Sequence, residues 1–574
     1  MTKFVLRYFA VAPICLAPLA AFAQSPSAST TKTPIEHVIV VVGENITFDN
    51  LFGTYVPPKG QTISNLLSKG IVNADGTPGP NFAKAAQQQA AEDGHYEVTP
   101  KQTGPYANLP RPGTTYAVGQ PKFVPDIRFP AELPDGPSPI THYVDWTAHI
   151  GDPVHRFFQM WQQFDGGRND LFAWVDMNSG EGSQHREDPK SDTNQGAVAM
   201  GFYNMSAGDG AYFKELATTY ALADNYHQPI MGGTGANYIA LSTGYAASYT
   251  DGKGGLAMPP AAQIENPDPV PGTSDWYRQS GYKSGSYVNC ADPAQPGVKA
   301  IRDYLASLPY KVFNDGNCVK GAYYIVNNYH PFYLPNGDSQ ELGPDKFVVP
   351  PQVEPNIGVA LSAKGVSWKW YEGGRIAGGT DIDKDKYCDI CDPLTHSTAI
   401  MTGPLKQNLQ SLDDFFRDVQ SDKTLPAVSF VTPPNEESGH PAYSTISRYE
   451  DFIRDLVAKV RAQPDVWGKT AILITTDEGG GNYDSGYIQI LDFFGDGTRI
   501  MMLAVSPFAK KGVVDHTYYD HVSILKFIEA NWGLKPLSPR SRDNLPNPTM
   551  GGPDPYVPQN RPAIGDLMNM FEFK

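Results

Sequence analysis

Two pairs of oxygen-bearing side chains stand at the ends of apolar runs in this sequence. Asp477-Glu478 follows Ala471 to Thr476 (AILITT) and precedes Gly479, Gly480, Gly481, Asn482, Tyr483 and Asp484. Glu44-Asn45 follows Ile35 to Gly43 (IEHVIVVVG) and precedes Thr47, Phe48 and Asp49. Adjacent carboxylate and amide oxygens suit a hard divalent cation, which takes oxygen ligands, and the glycines let backbone approach a ligand closely. A polar strand end running into a flexible turn accounts equally for either pair alone. Two such ends on adjacent strands could face one metal. A third candidate is Thr234 in MGGTGANY (231–238), ahead of a helical pattern in Ile239, Ala240 and Leu241. A hydroxyl there sits where helix N–H groups and the dipole favour a phosphate; a plain threonine N-cap is the competing reading. His155 lies in a helical stretch, Asp145 to Asp170, that Gly166-Gly167 ends. A lone histidine on a helix is ordinarily structural. His440 follows Asn435, Glu436 and Glu437.

The elements that must position these residues alternate. Continuous apolar runs read as strands buried on both faces of a parallel sheet: Ile35–Gly43, Val366–Tyr371, Pro426–Thr432, Ala471–Thr476 and Arg499–Ser506. Helical patterns fall at Tyr212–Tyr220, Asn356–Ala363, Ser411–Val419, Tyr449–Gln463 and His521–Trp532. This alternation predicts a doubly wound, mostly parallel α/β domain flanked by helices, with long loop insertions. In such sheets ligands collect beyond the carboxyl ends of the strands. Residues 55–139 read as long surface loops. A Gly/Pro-rich insertion is expected at about 243–350, with a strand near Ala322–Val326.

With 574 residues, 40% of them hydrophobic, the chain can fill one large α/β domain, 24–574, with insertions. A net charge of −16 without a basic cluster argues against nucleic acid as a partner. Residues 1–23 read as a cleaved signal: Lys3 and Arg7, an apolar Tyr8–Leu19 too short to span a membrane, then Ala21-Phe22-Ala23. A periplasmic or secreted protein without a membrane anchor is expected. Four cysteines remain beyond that segment, and Cys290–Cys318 and Cys388–Cys391 are the expected disulfides. A zinc site at Cys388-Asp389-Ile390-Cys391 lacks a second CxxC or a nearby His pair.

These pieces resemble the bacterial phosphoesterase family that joins acid phosphatases to phosphatidylcholine-type phospholipases C, within the alkaline phosphatase superfamily. The resemblance is carried by HVIVVVGENITFDNLFGTY (37–55), HRFFQMWQQFDGG (155–167), ALADNYHQPIMGGTGANY (221–238), TPPNEESGHPAYS (432–444) and AILITTDEGGGNYD (471–484). It implies an alkaline phosphatase-like fold and a divalent metal held by Glu44, Asn45, Asp477, Glu478 and Thr234. Thr234 would be the nucleophile, and His155 and His440 would stand near the phosphate. An all-oxygen ligand set favours calcium, magnesium or manganese over zinc. Two positions depart from the family's pattern. The acid phosphatase branch carries a His-His pair where Ile390-Cys391 aligns, and the phospholipase branch has a histidine where Ser485 stands. The last residues, MNMFEF (568–573), resemble the phosphatase terminus and leave no room for the C-terminal β domains of the longer phospholipases. The expectation is therefore an acid phosphatase that hydrolyses small phosphomonoesters through a phosphothreonine intermediate, with an acid optimum set by charged imidazoles. A phospholipase C or other phosphodiesterase is the first alternative, and a non-catalytic exported binding protein the second.

Overall fold

The computed structural model describes residues 31–91, 94–114, 117–122, 124–179, 194–268, 285–441 and 443–573. The expected signal segment lies outside them. An eight-stranded sheet organises the chain. In sequence order its strands are β1 (His37–Gly43), β2 (Ala221–Ala223), β3 (Trp368–Glu372), β4 (Leu409–Ser411), β5 (Val428–Thr432), β6 (Thr470–Thr476), β7 (Met502–Val505) and β8 (Val514–Asp515). Their spatial order is β4-β3-β5-β1-β6-β7-β2-β8. The run from β4 to β6 is parallel, β7 is antiparallel to both of its neighbours, and β8 is parallel to β2.

β1, β5 and β6 are buried along their whole length. That explains their largely apolar character, since neither face meets water. The expected strand at 322–326 shortens to Tyr324–Ile325 and pairs with Tyr287–Val288 outside the main sheet.

The helices used below are α1 (Phe48–Phe52), α2 (Phe157–Phe164), α3 (Ala211–Thr219), α4 (Thr234–Thr243), α5 (Ile357–Lys364), α6 (Leu412–Asp418), α7 (Ile446–Arg461) and α8 (Val522–Trp532). They form groups against the sheet: α3 with α7, and α4 with α5 and α8, while α6 packs on β3, β4 and β5. α7 shows how sequence becomes packing. Ile446, Tyr449, Ile453, Leu456 and Val460 recur at helical spacing and are all buried. Each such side chain contributes about 1.5–3 kcal/mol of burial free energy. Thr445 caps the helix by accepting from Arg448 N–H. Tyr449 from this helix lies over Gly43 and donates its hydroxyl to Thr475 O at 2.7 Å. A Cβ on Gly43 would fall 2.4 Å from the Tyr449 ring, so only glycine can end β1 at that point. No helix among the described residues is long and apolar enough to cross a membrane.

Candidate active site

Strand register sets the site. Gly43 of β1 pairs with Thr476 of β6, so Glu44 and Asp477 leave the sheet side by side at its carboxyl edge. The two loops are then laced together. Asp477 N–H donates to Gly43 O at 2.9 Å and Ile46 N–H to Glu478 O at 3.1 Å. Asn45 takes the left-handed conformation, φ 59°, and directs its N–H to Asp477 Oδ1 at 3.3 Å. The second and third motif glycines are needed for close approach. A Cβ on Gly480 would lie 2.5 Å from Asn45 Cβ, and one on Gly481 2.1 Å from Val154 O.

Thr234 reaches the same place from α4. Its hydroxyl donates to Glu478 Oε1 at 3.2 Å. The N-cap reading of Thr234 does not hold: Gly233 occupies that position, and Thr234 is the first residue inside the helix. The N–H of Gly235 is met from a distant loop by Asn328 Oδ1 at 2.8 Å. Thr234 is thereby left to face the carboxylates.

Glu44, Asp477 and Glu478 are all buried, and they crowd one another. Burial raises the Glu44 pKa well above its ordinary value, and the charges of Asp477, Glu372 and Asp152 raise it further. Glu478 is raised well above its ordinary value by burial, then by Asp477 and Glu44. Asp477 is pushed up to about 6 by burial, offset in part by the N–H groups of Glu478 and Asn45. Both side-chain polar atoms of Asn45, Oδ2 of Asp477 and Oε2 of Glu478 are buried without a hydrogen-bond partner among the described residues. Orphaned oxygens amid mutually repelling carboxylates fit a divalent cation, which would supply both the missing partner and the opposing charge.

The histidines stand in a second cluster. His155 is not on a helix, contrary to the expected long helix from 145 to 170. Pro153 resists helical continuation, and α2 begins only where Asn327 Oδ1 caps Phe157 N–H at 2.9 Å. His155 Nδ1 lies 2.7 Å from Pro153 O. A carbonyl only accepts, so the proton is on Nδ1 and Nε2 is the ring's remaining nitrogen. Asp152, His155 and His440 each bring one ligand-type atom within 4.8 Å of the others, and the two imidazoles meet edge to face with centroids 6.1 Å apart. His440 shares a cavity of about 420 Å³ with Glu44, Thr234, Asn328, Cys388 and Tyr443. Burial pushes the His440 pKa down to about 4, with Asp152 raising it and His155 lowering it. Burial therefore works against the charged form of His440, on which the expected acid optimum relies.

Behind the site, buried contacts hold the loops in place. Arg499 donates from Nε to Asp484 Oδ2 at 2.8 Å, from Nη2 to Asp484 Oδ1 at 3.0 Å and from Nη2 to Asp49 Oδ2 at 3.3 Å. Asp49 closes the loop that carries Glu44 and Asn45, and Asp484 the loop that carries Asp477 and Glu478. The final aspartates of E-N-x-x-F-D and D-E-G-G-G-x-Y-D therefore meet on one arginine and position the loops. His521 Nε2 lies 2.8 Å from Asp477 O, and Tyr226 Oη 2.7 Å from His521 Nδ1.

Sequence reading missed Asp152 and Asn328 as parts of the site. Asp152 was open to detection three residues before His155. Asn328 follows an apolar strand, as Glu44 and Asp477 do. Both expected disulfides form, Cys290–Cys318 and Cys388–Cys391. At the second, Cys391 Sγ lies 2.8 Å from Glu44 Oε1.

The chain belongs to the Phosphoesterase family, whose profile matches residues 35–535. It is 22% identical to a hemolytic phospholipase C of Pseudomonas aeruginosa, over 96% of this chain and 58% of that protein. It is 25% identical to a non-hemolytic phospholipase C of Burkholderia pseudomallei, over 70% of this chain and 49% of that one. A probable acid phosphatase of Kluyveromyces lactis is 31% identical over 37% of this chain and 50% of its own. The chain thus spans 49–58% of the length of these relatives, and the likeness runs to both branches. Among solved structures, a Vibrio parahaemolyticus protein in the alkaline phosphatase superfamily is similar at 10% identity and a TM-score of 0.24. That match covers 58% of this chain and 62% of the other. The fold assignment here rests on the sheet itself.

Proposed function

We propose that this chain is an exported, metal-dependent phosphomonoesterase with Thr234 as its nucleophile. The observation that carries the reading is the hydroxyl of Thr234 placed on Glu478, within a buried carboxylate cluster whose oxygens lack partners. Glu44, Asn45, Asp477, Glu478 and the Thr234 hydroxyl would hold the ion. Calcium, magnesium or manganese suits this oxygen set better than zinc. When bound, such an ion lowers the pKa of the hydroxyl and offsets charge on a phosphoryl oxygen.

Phosphoryl transfer asks mainly for positioning and charge stabilisation. Thr234 Oγ1 attacks phosphorus in line and passes its proton toward Glu478 Oε1, the acceptor it already contacts. The ester oxygen leaves as an alcohol, with a proton held or relayed by His155 or His440. Water then attacks the phosphothreonine, releases phosphate and restores the hydroxyl. Asn328, from the Gly/Pro-rich region expected at 243–350, keeps the start of α4 fixed through Gly235 while this happens.

Monoester preference is supported by the 31% identity to an acid phosphatase. A phospholipase C or other phosphodiesterase using the same residues is the second reading, favoured by a likeness that runs over 96% of the chain. Export is supported by the signal-like residues 1–23 and by two disulfides, which persist in oxidising compartments.

The test is a paired assay of p-nitrophenyl phosphate and p-nitrophenylphosphorylcholine, each with wild type and Thr234→Ala. Monoester turnover lost in the variant is the expected result. Turnover of the choline ester alone moves the protein to the phosphodiesterase reading. Full activity in the variant removes Thr234 as nucleophile. A protein that binds no metal and turns over neither ester would be a binding protein on this scaffold.

A further inference from the structure

The mechanism above makes no use of the turn Cys388-Asp389-Ile390-Cys391, yet the turn stands against one of the metal ligands. Cys391 Sγ lies 2.8 Å and Cys388 Sγ 3.9 Å from Glu44 Oε1. The three side chains bring their ligand-type atoms within 4.8 Å of one another. Cys391 is buried, whereas Cys388 is half-buried and lines the cavity, so the pair is open to attack from the substrate side.

The turn keeps its place without help from the sulfur bond. On its first side, His330 Nδ1 contacts Asp389 Oδ2 at 2.6 Å, and Ile390 is buried where α4 begins, near Gly235. On its other side, Asp392 accepts from Arg375 Nε at 2.8 Å and from the Tyr387 hydroxyl at 3.0 Å. Breaking the bond therefore leaves both sulfurs beside Glu44. While the bond is intact, the sulfurs offer that carboxylate no proton and offer a cation no charge. Once it is broken, two thiol sulfurs and one carboxylate face a common point, a ligand set that suits a thiophilic ion.

We propose that Cys388 and Cys391 form a redox gate on the metal centre. In the dithiol state the two cysteines and Glu44 bind a thiophilic divalent ion of the zinc type, and its capture withdraws Glu44 from the hard-cation site. The gate opens by thiol–disulfide exchange with an external dithiol. The protein S–S bond breaks, two electrons and two protons pass to Cys388 and Cys391, and the reductant leaves as its own disulfide. The captured ion then displaces the two thiol protons. The inference rests on the proposed role of Glu44 as a hard-cation ligand.

Cobalt(II) is the probe, because sulfur-bound cobalt shows a thiolate charge-transfer absorption that oxygen-bound cobalt lacks. The full chain is titrated as isolated and again after reduction with a water-soluble phosphine. The expected result is a charge-transfer band in the reduced protein only, lost in the Cys388→Ala/Cys391→Ala double variant and shifted to weaker cobalt binding in Glu44→Gln. The double variant keeps Cys290 and Cys318, so it shows whether the other pair is the source. Cys388→Ser alone reports the same loss should the double variant fail to fold. No band in the reduced wild type, or an undiminished band in these cysteine variants, overturns the proposal. Manganese-supported turnover of p-nitrophenyl phosphate is followed in parallel, and zinc is expected to depress it more in the reduced protein than in the oxidised one. Turnover without a cobalt band removes the gate and leaves the proposed function standing. A band without any turnover upholds the sulfur site and removes the function it was to regulate.

Discussion

The Thr234 hydroxyl donates to Glu478 Oε1 across 3.2 Å, joining the first residue of one helix to the carboxyl end of a strand 244 residues away. That bond aims a hydroxyl at a carboxylate and leaves the helix terminus to be capped by Asn328. Thr234→Ala removes the attacking oxygen, and kcat/KM for p-nitrophenyl phosphate is expected to fall by at least about 10³-fold. Thr234→Ser keeps the oxygen and is expected to retain measurable turnover. Equal loss in both variants would assign Thr234 to packing and not to attack.

Cation binding is expected to strengthen as pH rises. Asp477 is held at about 6, above its ordinary 3.8, and Glu44 and Glu478 are raised too. With folded pKa values above the unfolded ones, these carboxyls favour the cation-free fold most below pH 4 and withdraw that stability as pH climbs through about 6. A bound ion reverses the penalty by pairing the charges. Manganese or calcium should therefore raise the melting temperature more at pH 7 than at pH 5, and binding should release protons. A cation-induced shift that is as large at pH 5 as at pH 7 would contradict this, as would a chelator without effect on turnover.

The central strands were legible because both of their faces are buried. The cores of Ile35–Gly43 and Ala471–Thr476 therefore read as apolar runs, and each is followed by its candidate ligands within two residues of the observed strand end. β2, β4 and β8 hold two or three residues each, too few for any periodicity to register. The start of α2 was misread because an asparagine more than 150 residues away caps it. Long-range pairing hid the rest. Asp49 and Asp484 close the two motifs, and only the fold shows them committed to Arg499. The contact of Cys391 with Glu44 spans 347 residues, and nothing in a CxxC spacing points to a particular carboxylate.

Arg499 is buried between Asp484 and Asp49, with its guanidinium 4.7 Å from the Phe48 ring centroid. Arg499→Met would leave two carboxylates in the interior without their cation. The expected cost is about 3–5 kcal/mol, read as a lower denaturant midpoint. Metal affinity should fall with it, since both ligand loops are tied to this side chain. An unchanged midpoint would mean that the two aspartates find other partners.

Gly43→Ala tests the contact beneath the site. The new methyl would press into the Tyr449 ring from 2.4 Å, and shifting either β1 or α7 is expected to cost about 1–3 kcal/mol. Glu44 is the next residue, so manganese affinity should weaken in the same variant. Adding Tyr449→Ala removes the ring and should recover part of the affinity even though the core loses packing. Stability at wild-type level in Gly43→Ala alone would show that the ring moves aside freely.

The two disulfides are expected to differ in what their removal costs. Cys290–Cys318 closes a loop with a sequence separation of 28, Cys388–Cys391 one of only 3. Constraint of the unfolded chain grows with loop length, which gives about 3–4 kcal/mol for the first pair and about 2 kcal/mol for the second. Cys290→Ala/Cys318→Ala should therefore lower the denaturant midpoint clearly more than Cys388→Ala/Cys391→Ala does. The effect on manganese affinity should run the other way, because only the second pair touches Glu44. If the short-loop variant proves the less stable of the two while its metal affinity is unaltered, the Cys388–Cys391 bond acts as a structural staple and its contact with Glu44 is incidental.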